Sequence, residues 1–554
     1  MALPPKVYTW LCGLFASLGS IIFGYDLGVI AGVLPAPDFM HVMGPRYQDP
    51  NLQGLITSIF VLGCFFGMFI VAYFADRFGR RKTIQVGAAI YMYAEFSPVL
   101  IFPRLSQADR RSVGGALQTG AQNMDMMLAG RFFAGYGVGI VSDLAPLYQA
   151  EIAHPSIRGR LTTLQQFMLG IGAFCASWIT YGTSAGLKGS QGEWRIPLGI
   201  QIVPAIPLIC FILLLPESPR WLMEKGKEDE ARATLARLHA RGDIHDQLVV
   251  AQIEDMKADI ARAKDIGEST WGELFTIPSN FRRLCLGAIQ YYSTTIFTTM
   301  GFSSTRILLF QSINSVIALI GEACCVLWID HTGRRRPLII GNIASGLSFV
   351  VGSILMARWP GSVNNNAMYC GVIRLIIFSS VSPHSTRDYL GPLTSSDLIT
   401  LVTTWVFNFF FSACIGPLSW AYPAEIFSTR TRAKSTAITS SSSWISNFFI
   451  AQVTPRAFLG IGWKYYLVFA ICGHTNALVI WAFYPETTGR RLEEMDALFE
   501  DAPIFVANTE YAKMKDRHAA ERELLEGSFV PGGLTGAPVR TDVEGGLDEK
   551  ASST

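Results

Sequence analysis

Residues 76–81 read Asp-Arg-Phe-Gly-Arg-Arg, and a second copy of the pattern, Asp-His-Thr-Gly-Arg-Arg, occupies residues 330–335. Each copy stands at the edge of long apolar runs. Each is followed by a glutamate with an arginine seven residues later and then by a proline–glutamate pair: Glu151 with Arg158 and Pro216-Glu217 in the first copy, Glu425 with Arg432 and Pro485-Glu486 in the second. Three charged signals repeated in one order predict a duplicated fold, and the apolar runs indicate that its two halves lie in a membrane.

The composition also indicates a membrane protein. Half of the residues are apolar, 16% are charged, and the mean hydropathy is +0.32. A soluble protein would carry more charge, whereas a spanning helix needs roughly 20 mostly apolar residues. We therefore predict an all-α protein with about twelve transmembrane helices in two pseudo-symmetric six-helix bundles, because so many runs exceed the length of core helices in soluble proteins. The runs start near Tyr8, Leu52, Thr83, Met126, Leu161, Ile196, Leu284, Thr305, Pro337, Leu398, Thr436 and Lys464.

Basic residues cluster after the even-numbered spans. By the positive-inside rule, these loops and both termini face the cytoplasm. The net charge of +2 gives no sign of a nucleic-acid partner. We expect a multi-pass protein of the plasma membrane that works as a monomer in the lipid bilayer. The clusters are Arg77, Arg80, Arg81 and Lys82; Arg158 and Arg160; Arg334 to Arg336; Arg430, Arg432 and Lys434; and Arg490 and Arg491.

The chain divides into four parts on this basis. Residues 1–215 form the predicted N-terminal bundle, and residues 216–283 a charged, helix-forming linker that lies in the cytoplasm. Residues 284–485 form the C-terminal bundle. Residues 486–554 form a cytoplasmic tail that we expect to be partly disordered, from Phe505 onward, because that stretch is polar.

Three stretches depart from the pattern. Residues 93–112 and 369–396 place basic side chains on the outer side, against the charge rule. The seventh span, from Leu284 to Met300, is short, and its second half is polar.

Several motifs together resemble the sugar porter family of the major facilitator superfamily. The resemblance covers Trp10 to Glu500 and is nearest to eukaryotic monosaccharide–proton symporters. It implies the major facilitator fold. The chain departs from the family pattern at two places. The seventh span lacks about a dozen residues by comparison with a normal span. In the eleventh span Ser443 precedes Trp444, where the family often has an asparagine. The motifs are Gly-Tyr-Asp-Leu-Gly-Val-Ile at 24–30, Gly-Arg-Phe-Phe-Ala-Gly at 130–135, Pro-Glu-Ser-Pro-Arg at 216–220, Gly-Pro-Leu-Ser-Trp at 416–420 and Pro-Glu-Thr-Thr-Gly-Arg at 485–490.

A buried acid in the first span is the candidate proton carrier. A charge at the bilayer centre costs roughly 3 kcal/mol or more, so Asp26 needs a partner or a purpose. The resemblance pairs Asp26 with Arg131 and implies a role in proton coupling; a static ion pair is the alternative. Glu322 and Asp143 are further buried acids, each either a second proton site or a hydrogen-bonded structural group.

Amide and indole side chains are the candidate sugar ligands. Amides donate and accept at once, and an indole covers the C–H face of a sugar ring. The resemblance implies this role for Gln166 and Trp420. For the single amides, hydrogen bonding between helices is the alternative. The candidates are Gln165, Gln166, Asn314, Trp420, Trp444 and Asn447, with Asn408 as a weaker one.

The repeated charges are candidates for a cytoplasmic gate. We expect water to weaken each ion pair to roughly 1 kcal/mol, so that several together can bias one state and still break in each cycle. Signalling of topology alone is the alternative. The gate residues are Asp76, Arg80, Arg81, Glu151, Arg158, Glu217, Asp330, Arg334, Arg335, Glu425, Arg432 and Glu486.

These expectations converge on proton-coupled symport of a hexose or pentose by alternating access. Passive uniport is one alternative. A transporter-like sugar sensor, or a non-transporting product with a shortened seventh helix, is another. No phosphate-binding Gly-Lys motif, metal cluster or nucleophile elbow is evident in the sequence, so we expect no enzymatic activity, cofactor or metal.

Overall fold

A computed structural model describes residues 4–95, 118–154, 157–266, 270–298, 305–358, 405–427, 431–461, 464–490 and 495–514. Within these ranges the regular structure is helical, without β-strands. The helices of the first part are α1 Pro5–Ala16, α2 Leu18–Val33, α3 Pro37–Met43, α4 Pro50–Phe78, α5 Arg80–Glu95, α6 Met124–Ile152, α7 Arg158–Gly186, α8 Gly192–Ile200 and α9 Ala205–Phe211.

Four shorter helices connect this part to the second. They are α10 Pro219–Glu224, α11 Glu228–His239, α12 Gln247–Ile266 and α13 Glu273–Thr276. The helices of the second part are α14 Pro278–Thr298, α15 Thr305–Thr332, α16 Arg335–Arg358, α17 Gly416–Ile426, α18 Arg432–Ile461, α19 Lys464–Phe483 and α20 Met495–Asp501. Residues 405–410 are helical too, and the π-helical turn Phe411–Ile415 joins them to α17.

Where the structure describes them, the predicted spans coincide with helices; the tenth, predicted to start near Leu398, is described only from residue 405 onward. The first span corresponds to α1 and α2, which are separated by a break at Ser17, and the sixth to α8 and α9. Among the described residues, five helical stretches are long and apolar enough to cross a membrane by length and composition alone. They are Pro5–Ile30, Gly192–Leu214, Ser312–Thr332, Arg335–Ile354 and Lys464–Phe483.

The seventh helix is longer than the sequence indicated. It begins at Pro278 rather than at Leu284 and ends at Thr298, which gives 21 helical residues, or about 31 Å at the usual rise per residue. The polar segment near its end continues the helix instead of ending it. Met300, residues 96–112 of the first unusual stretch, and the whole of 369–396 lie outside the described residues.

The two halves repeat the same helix pairings. In the first half α2 packs against α7 and α4 against α6; in the second, α14 packs against α18 and α15 against the π-helical turn before α17. Between the halves, α7 packs against α15 and α4 against α18. The predicted duplication is therefore visible in the packing, and the space between α7, α15 and α17 is shared by both halves.

Glycines allow the helices to approach closely. A Cβ on Gly63 of α4 would lie 2.1 Å from the carbonyl oxygen of Phe132, and a Cβ on Gly135 of α6 would lie 2.0 Å from that of Phe60. Membrane helices associate largely through such close backbone packing. The absence of side chains at Gly63 and Gly135 therefore allows the backbones of α4 and α6 to pack closely.

The described end of the tail is ordered against the second half. The Arg283 guanidinium pairs with Asp496 of α20 at 2.6 Å, and the Val506 amide donates to the Ala482 carbonyl at 2.8 Å. The Glu486 amide donates to the Tyr511 carbonyl at 2.9 Å. The expectation of disorder directly after Phe505 is wrong for residues 506–514, because backbone hydrogen bonds hold them.

Candidate functional site

A buried ion pair joins α2 to α6. Arg131 Nη1 lies 2.8 Å from Asp26 Oδ1 and 2.9 Å from Asp26 Oδ2. Arg131 Nε also donates to the Ile56 carbonyl at 3.3 Å, and the guanidinium lies 4.6 Å from the centre of the Phe60 ring. Both charged side chains are removed from solvent. The structure thus brings the two residues together as the resemblance implied.

Three helices from both halves meet at Gln166. Gln166 of α7 donates through Nε2 to Glu322 Oε1 of α15 at 3.1 Å, and it accepts at Oε1 from Trp420 Nε1 of α17 at 3.1 Å. All three residues are buried. The amide uses its donor and its acceptor at the same time, which is the property that suits it to a sugar hydroxyl.

Aromatic contacts connect this cluster to the ion pair. Phe23 lies one turn before Asp26 on α2. Its ring centre is 6.4 Å from that of Trp420 and 5.2 Å from that of Trp444, edge-on in both cases. Phe23 of α2 therefore contacts both tryptophans of the second half.

The remaining amide candidates differ in their surroundings. Gln165 Nε2 donates to the Ser142 carbonyl of α6 at 2.8 Å, which is hydrogen bonding between helices of one half. Asn408 Nδ2 donates to the Asn314 carbonyl at 2.8 Å. Asn314 Oδ1 is buried without a hydrogen-bond partner in the described part of the chain. Gln165 Oε1 is likewise buried without a partner among the described residues, so both amides keep an acceptor that no described group uses.

Two further candidates lie on α18. Trp444 is buried, and its Nε1 has no hydrogen-bond acceptor among the residues described. Asn447 is half-buried, three residues further along the helix. Asp143 of α6 accepts from Ser440 Oγ of α18 at 2.9 Å, so that this acid also links the two halves.

The repeated charges form two matching clusters at one end of the bundle. In the first, Arg80 Nε and Nη2 contact Glu151 at 3.0 Å each. In the second, Arg334 Nε and Nη2 contact Glu425 at 3.1 and 2.7 Å. The side chains are at most 5% exposed in both pairs. The expectation that water weakens these pairs is therefore wrong for Arg80–Glu151 and Arg334–Glu425, because the side chains of both pairs are buried.

The second glutamate of each repeat binds backbone amides. Glu217 accepts from the Arg80 amide at 3.1 Å and from Arg81 Nε at 3.2 Å. Glu486 accepts from the Arg334 and Arg335 amides at 3.0 Å each. Each carboxylate therefore holds the start of the helix that follows the Gly-Arg-Arg turn, where unsatisfied amides favour a negative charge.

The other gate candidates differ in their surroundings. Asp76 lies 3.5 Å from Arg80, and Asp330 lies 3.6 Å from Arg334. Arg432 Nε and Nη2 donate to the Phe427 carbonyl at 3.2 and 3.0 Å, while Arg158 begins α7.

Among the described residues, one ion pair across the halves involves a residue outside the predicted gate set. Arg160 Nε of α7 lies 3.3 Å from Asp330 Oδ2 of α15, and the two side chains are 33% and 8% exposed. From the sequence, Arg160 is expected only in the basic loop after the fourth span. Its role depends on how the halves meet, and no local sequence signal indicates it.

Two tyrosines that contact these clusters are not among the site residues predicted from the sequence. Tyr148 Oη donates to the Pro216 carbonyl at 2.7 Å, and Tyr422 Oη donates to the Pro485 carbonyl at 3.1 Å. Each tyrosine stands three residues before a repeated glutamate. The shared spacing of Tyr148 to Glu151 and of Tyr422 to Glu425 was the signal that could have found them. Among the described residues, no group of three or more His, Cys, Asp or Glu could hold a metal ion.

Comparison with known proteins matches almost the whole chain. The family model for "Sugar (and other) transporter" matches residues 12–499. The MFS glucose transporter mfs1 of Aspergillus flavus is 29% identical over 95% of this chain and 96% of its own length. The high-affinity glucose transporter of Kluyveromyces lactis is 29% identical over 90% and 86%, and a quinate permease of Neurospora terricola is 29% identical over 91% and 92%.

Solved structures are similar in fold. The proton:xylose symporter XylE bound to 6-bromo-6-deoxy-D-glucose has a TM-score of 0.71 at 23% identity, covering 90% of this chain and 100% of that one. The inward open xylose transporter XylE from E. coli has a TM-score of 0.59 at 22% identity, covering 88% and 99%. These similarities confirm the predicted fold of two helical bundles.

Proposed function

Because the chain belongs to the family of sugar (and other) transporters, we propose that it carries a monosaccharide, a hexose or a pentose, across the membrane together with a proton. As a member of this family it is a multi-pass membrane transporter and not an enzyme. The observation that carries the finer proposal is the contact chain from the buried Asp26–Arg131 pair through Phe23 to Trp420 and Gln166.

The central cluster has the chemistry of a sugar site. Gln166 retains a second amide hydrogen and a second carbonyl lone pair for ligand hydroxyls. The buried indoles of Trp420 and Trp444 supply apolar surface for the C–H face of a ring. Asn314 Oδ1 offers a further acceptor. Curated relatives include glucose transporters, which supports a sugar as the substrate here.

Asp26 supplies a route for coupling to protons. Protonation removes the charge that Arg131 binds, so it loosens α2 from α6. Phe23 is on the same face of α2 as Asp26 and contacts both tryptophans, so this loosening reaches the sugar site. One charge that moves through 100 mV supplies about 2.3 kcal/mol, enough for roughly fifty-fold accumulation.

Contacts between the halves at both ends of the bundle support a mechanism of alternating access. At the arginine-rich end Arg160 contacts Asp330 at 3.3 Å, and at the opposite end Gln452 Nε2 contacts Ser58 Oγ at 2.6 Å. We infer that rocking of the halves breaks one set while it keeps the other. The arginine-rich end and both termini face the cytoplasm in this proposal, because the basic loops lie there.

The remaining assignments belong to the same proposal. Residues 1–215 and 284–485 act as the two moving bundles, residues 216–283 as their cytoplasmic linker, and residues 486–554 as a cytoplasmic tail. The protein works as a monomer in the plasma membrane.

Uptake by reconstituted protein tests the proposal. Proteoliposomes with an alkaline interior should accumulate labelled glucose or xylose above equilibrium, and a protonophore should abolish the accumulation. Equilibration without accumulation would select passive uniport. No uptake of any sugar in a competitor panel at two pH values, by correctly folded protein, would select the non-transporting alternative.

A further inference from the structure

Glu95 is a buried acid to which the proposed function gives no role. It is the last residue of α5 and is fully buried, and among the described residues it accepts one hydrogen bond, from Gln118 Nε2 at 2.6 Å. Its second oxygen, Oε2, is buried without a hydrogen-bond partner in the described part of the chain. An ionised carboxylate held by a single neutral donor is costly to bury, so this acid is either neutral or close to a positive charge.

The packing of α5 against α6 fixes the level of Glu95 in the bundle. A Cβ on Gly87 of α5 would lie 2.8 Å from Ile140 Cγ2 of α6, and a Cβ on Gly137 of α6 would lie 2.6 Å from the Tyr91 amide nitrogen. Later residues of α5 therefore meet earlier residues of α6, so the two helices are antiparallel. By the same register Glu95, four residues after Tyr91, lies opposite the turn of α6 that is four residues before Gly137.

That turn of α6 contains Arg131. The point opposite Glu95 is two residues away from Arg131, or about 3 Å along the helix axis. Glu95 interacts electrostatically with the charges of both Arg131 and Asp26. Among the described residues, the charged groups of this region are therefore one cation and two acids. The other ionisable side chains that interact with them, a thiol and two phenols that are ordinarily uncharged at neutral pH, are Cys64, Tyr25 and Tyr91.

Charge balance decides which of the two acids carries a proton. The ionised Asp26–Arg131 pair is neutral overall, so an ionised Glu95 would add an uncompensated negative charge to a buried site. Glu95 therefore holds a proton while Asp26 is ionised. A proton on Oε2 makes that oxygen a donor, and Gln201 Oε1, which is close to the carboxyl and buried without a described partner, is a suitable acceptor.

We propose, as an extension of the proposed function, that Glu95 and Asp26 share one negative charge opposite Arg131 and pass a proton between them. Protonation of Asp26 leaves Arg131 without a partner in its pair. The proton comes from Glu95 Oε2, so Glu95 becomes the carboxylate that Arg131 binds. The number of bound protons and the net charge of the three groups stay the same. Arg131 then holds α5 instead of α2, and α2 is released.

The same exchange gives the proton a direction. Glu95 stands at the end of α5 that is remote from Arg80, so in the proposed orientation it is nearer the outer side of the membrane. After the halves rock, Asp26 releases its proton toward the cytoplasm, and Glu95 takes up another one from outside. One complete cycle returns all three groups to their first state and moves one proton inward.

Infrared spectroscopy of the purified full-length protein tests the shared charge, because the C=O stretch of a protonated carboxyl differs from that of a carboxylate. At neutral pH Glu95→Gln should lose the signal of one protonated carboxyl. Asp26→Asn should lose the same signal although Glu95 is unchanged, since Glu95 is then the counterion of the guanidinium. The double variant should lose no more signal than either single variant.

Thermal unfolding in detergent gives an independent measurement. Glu95→Gln replaces a neutral acid by an amide of the same length and should change the melting temperature little. Asp26→Asn leaves Glu95 to compensate Arg131, whereas the double variant leaves Arg131 buried alone. The melting temperature of the double variant should therefore fall by at least about twice the sum of the two single losses. Glu193→Gln changes a buried acid of α8 that accepts from Ser184 Oγ at 3.2 Å, and its loss should be additive with that of Asp26→Asn.

The outcomes separate this inference from the proposed function, because neither measurement requires transport. An unchanged infrared signal in Glu95→Gln or in Asp26→Asn, or additive thermal losses in their double variant, would overturn the shared charge while proton-coupled sugar uptake stands. The expected infrared and thermal results, together with no sugar uptake by the folded, unmodified protein, would overturn the proposed symport and leave the shared charge in place.

Discussion

Arg131 Nη1 holds both carboxylate oxygens of Asp26, at 2.8 and 2.9 Å, in an ion pair that is almost completely inaccessible to solvent. Because Nη1 alone contacts both oxygens, Nε is free to donate to the Ile56 carbonyl, and the guanidinium also lies over the Phe60 ring. Loss of either charge leaves the other one buried without compensation, and this is the physical basis for a link between proton binding and the packing of α2.

Asp26→Asn should abolish uphill sugar accumulation and spare sugar exchange. The amide preserves the shape of the side chain but cannot change charge during the cycle. Accumulation and counterflow in proteoliposomes measure the two activities separately. Glu193→Gln is the comparison, because Glu193 of α8 is a buried acid that accepts from Ser184 Oγ at 3.2 Å and has no role in the proposed site. Unchanged uphill uptake by Asp26→Asn would refute its proton role, and equal losses in both variants would show that the effect is not specific to Asp26.

Phe23→Leu should weaken coupling more than sugar binding. The leucine keeps an apolar side chain on α2 but loses the edge-on contacts to Trp420 and Trp444. We expect the number of protons carried per sugar to fall while the KM for sugar changes less than about threefold. Simultaneous recording of pH and sugar uptake gives the ratio. A normal ratio would show that α2 does not act on the site through this ring.

Trp420→Phe and Trp420→Ala should separate the hydrogen bond from the ring surface. The phenylalanine variant keeps a smaller aromatic ring and loses the bond to Gln166, which is worth roughly 1 kcal/mol, so KM should rise about fivefold. The alanine variant also loses the stacking surface and should raise KM by a further tenfold or so. Concentration-dependent uptake is the measurement. An unchanged KM in the alanine variant would remove Trp420 from the site.

Arg334→Ala should lower the stability of the protein, whereas Arg160→Ala should mainly change its conformational equilibrium. Arg334 forms a buried two-point pair with Glu425, so its removal should cost about 3–5 kcal/mol and lower the melting temperature in detergent. Arg160 is one-third exposed in its pair with Asp330, so its removal should cost about 1 kcal/mol or less.

The effect of Arg160→Ala should appear in conformation instead. Because the pair joins the halves, its loss should open the arginine-rich end about fivefold more often. Alkylation of a cysteine introduced at Thr163, which is buried on α7, reports that opening. Equal melting temperatures of the two variants, or an unchanged alkylation rate, would contradict this division of roles.

Gly79→Ala and Gly333→Ala should destabilise the protein to a similar extent. Their φ angles are +92° and +80°, and a Cβ at either position would lie 2.6 Å from a glutamate oxygen, of Glu217 or Glu486 respectively. Strain of about 1–2 kcal/mol is therefore expected at each, together with disturbance of the carboxylate. Thermal unfolding in detergent measures the loss.

Two other glycines separate strain from contact. Gly226 has a φ of +74° with nothing within 4 Å of a Cβ, and Gly182 has an open surround without a positive φ. Alanine at Gly226 should cost only the strain, and alanine at Gly182 should be neutral or slightly stabilising. The same melting temperature for the Gly79, Gly333 and Gly226 variants would show that the carboxylate contacts carry no stability.

Much of the fold follows from the sequence because its signals are local. Hydropathy over some 20 residues locates spans, and the repeated Gly-Arg-Arg turns at Gly79 and Gly333 mark equivalent points in the two halves. The repeat also places Arg80 and Glu151 in one predicted set of gate charges. It does not specify their direct pairing or their burial, because the spacing of charges along the chain carries no information on which helices cover them.

The sequence by itself determined a duplicated helical membrane protein and a short set of polar candidates. Only the tertiary structure decided which of two adjacent glutamines meets the other half: Gln166 contacts Glu322, whereas Gln165 points about 100° away around the helix and bonds to Ser142. It also decided that Arg160 meets Asp330 and that Phe23 reaches Trp420. These pairs join residues far apart in the chain, and such contacts depend on how whole helices pack, which no local pattern of residues specifies.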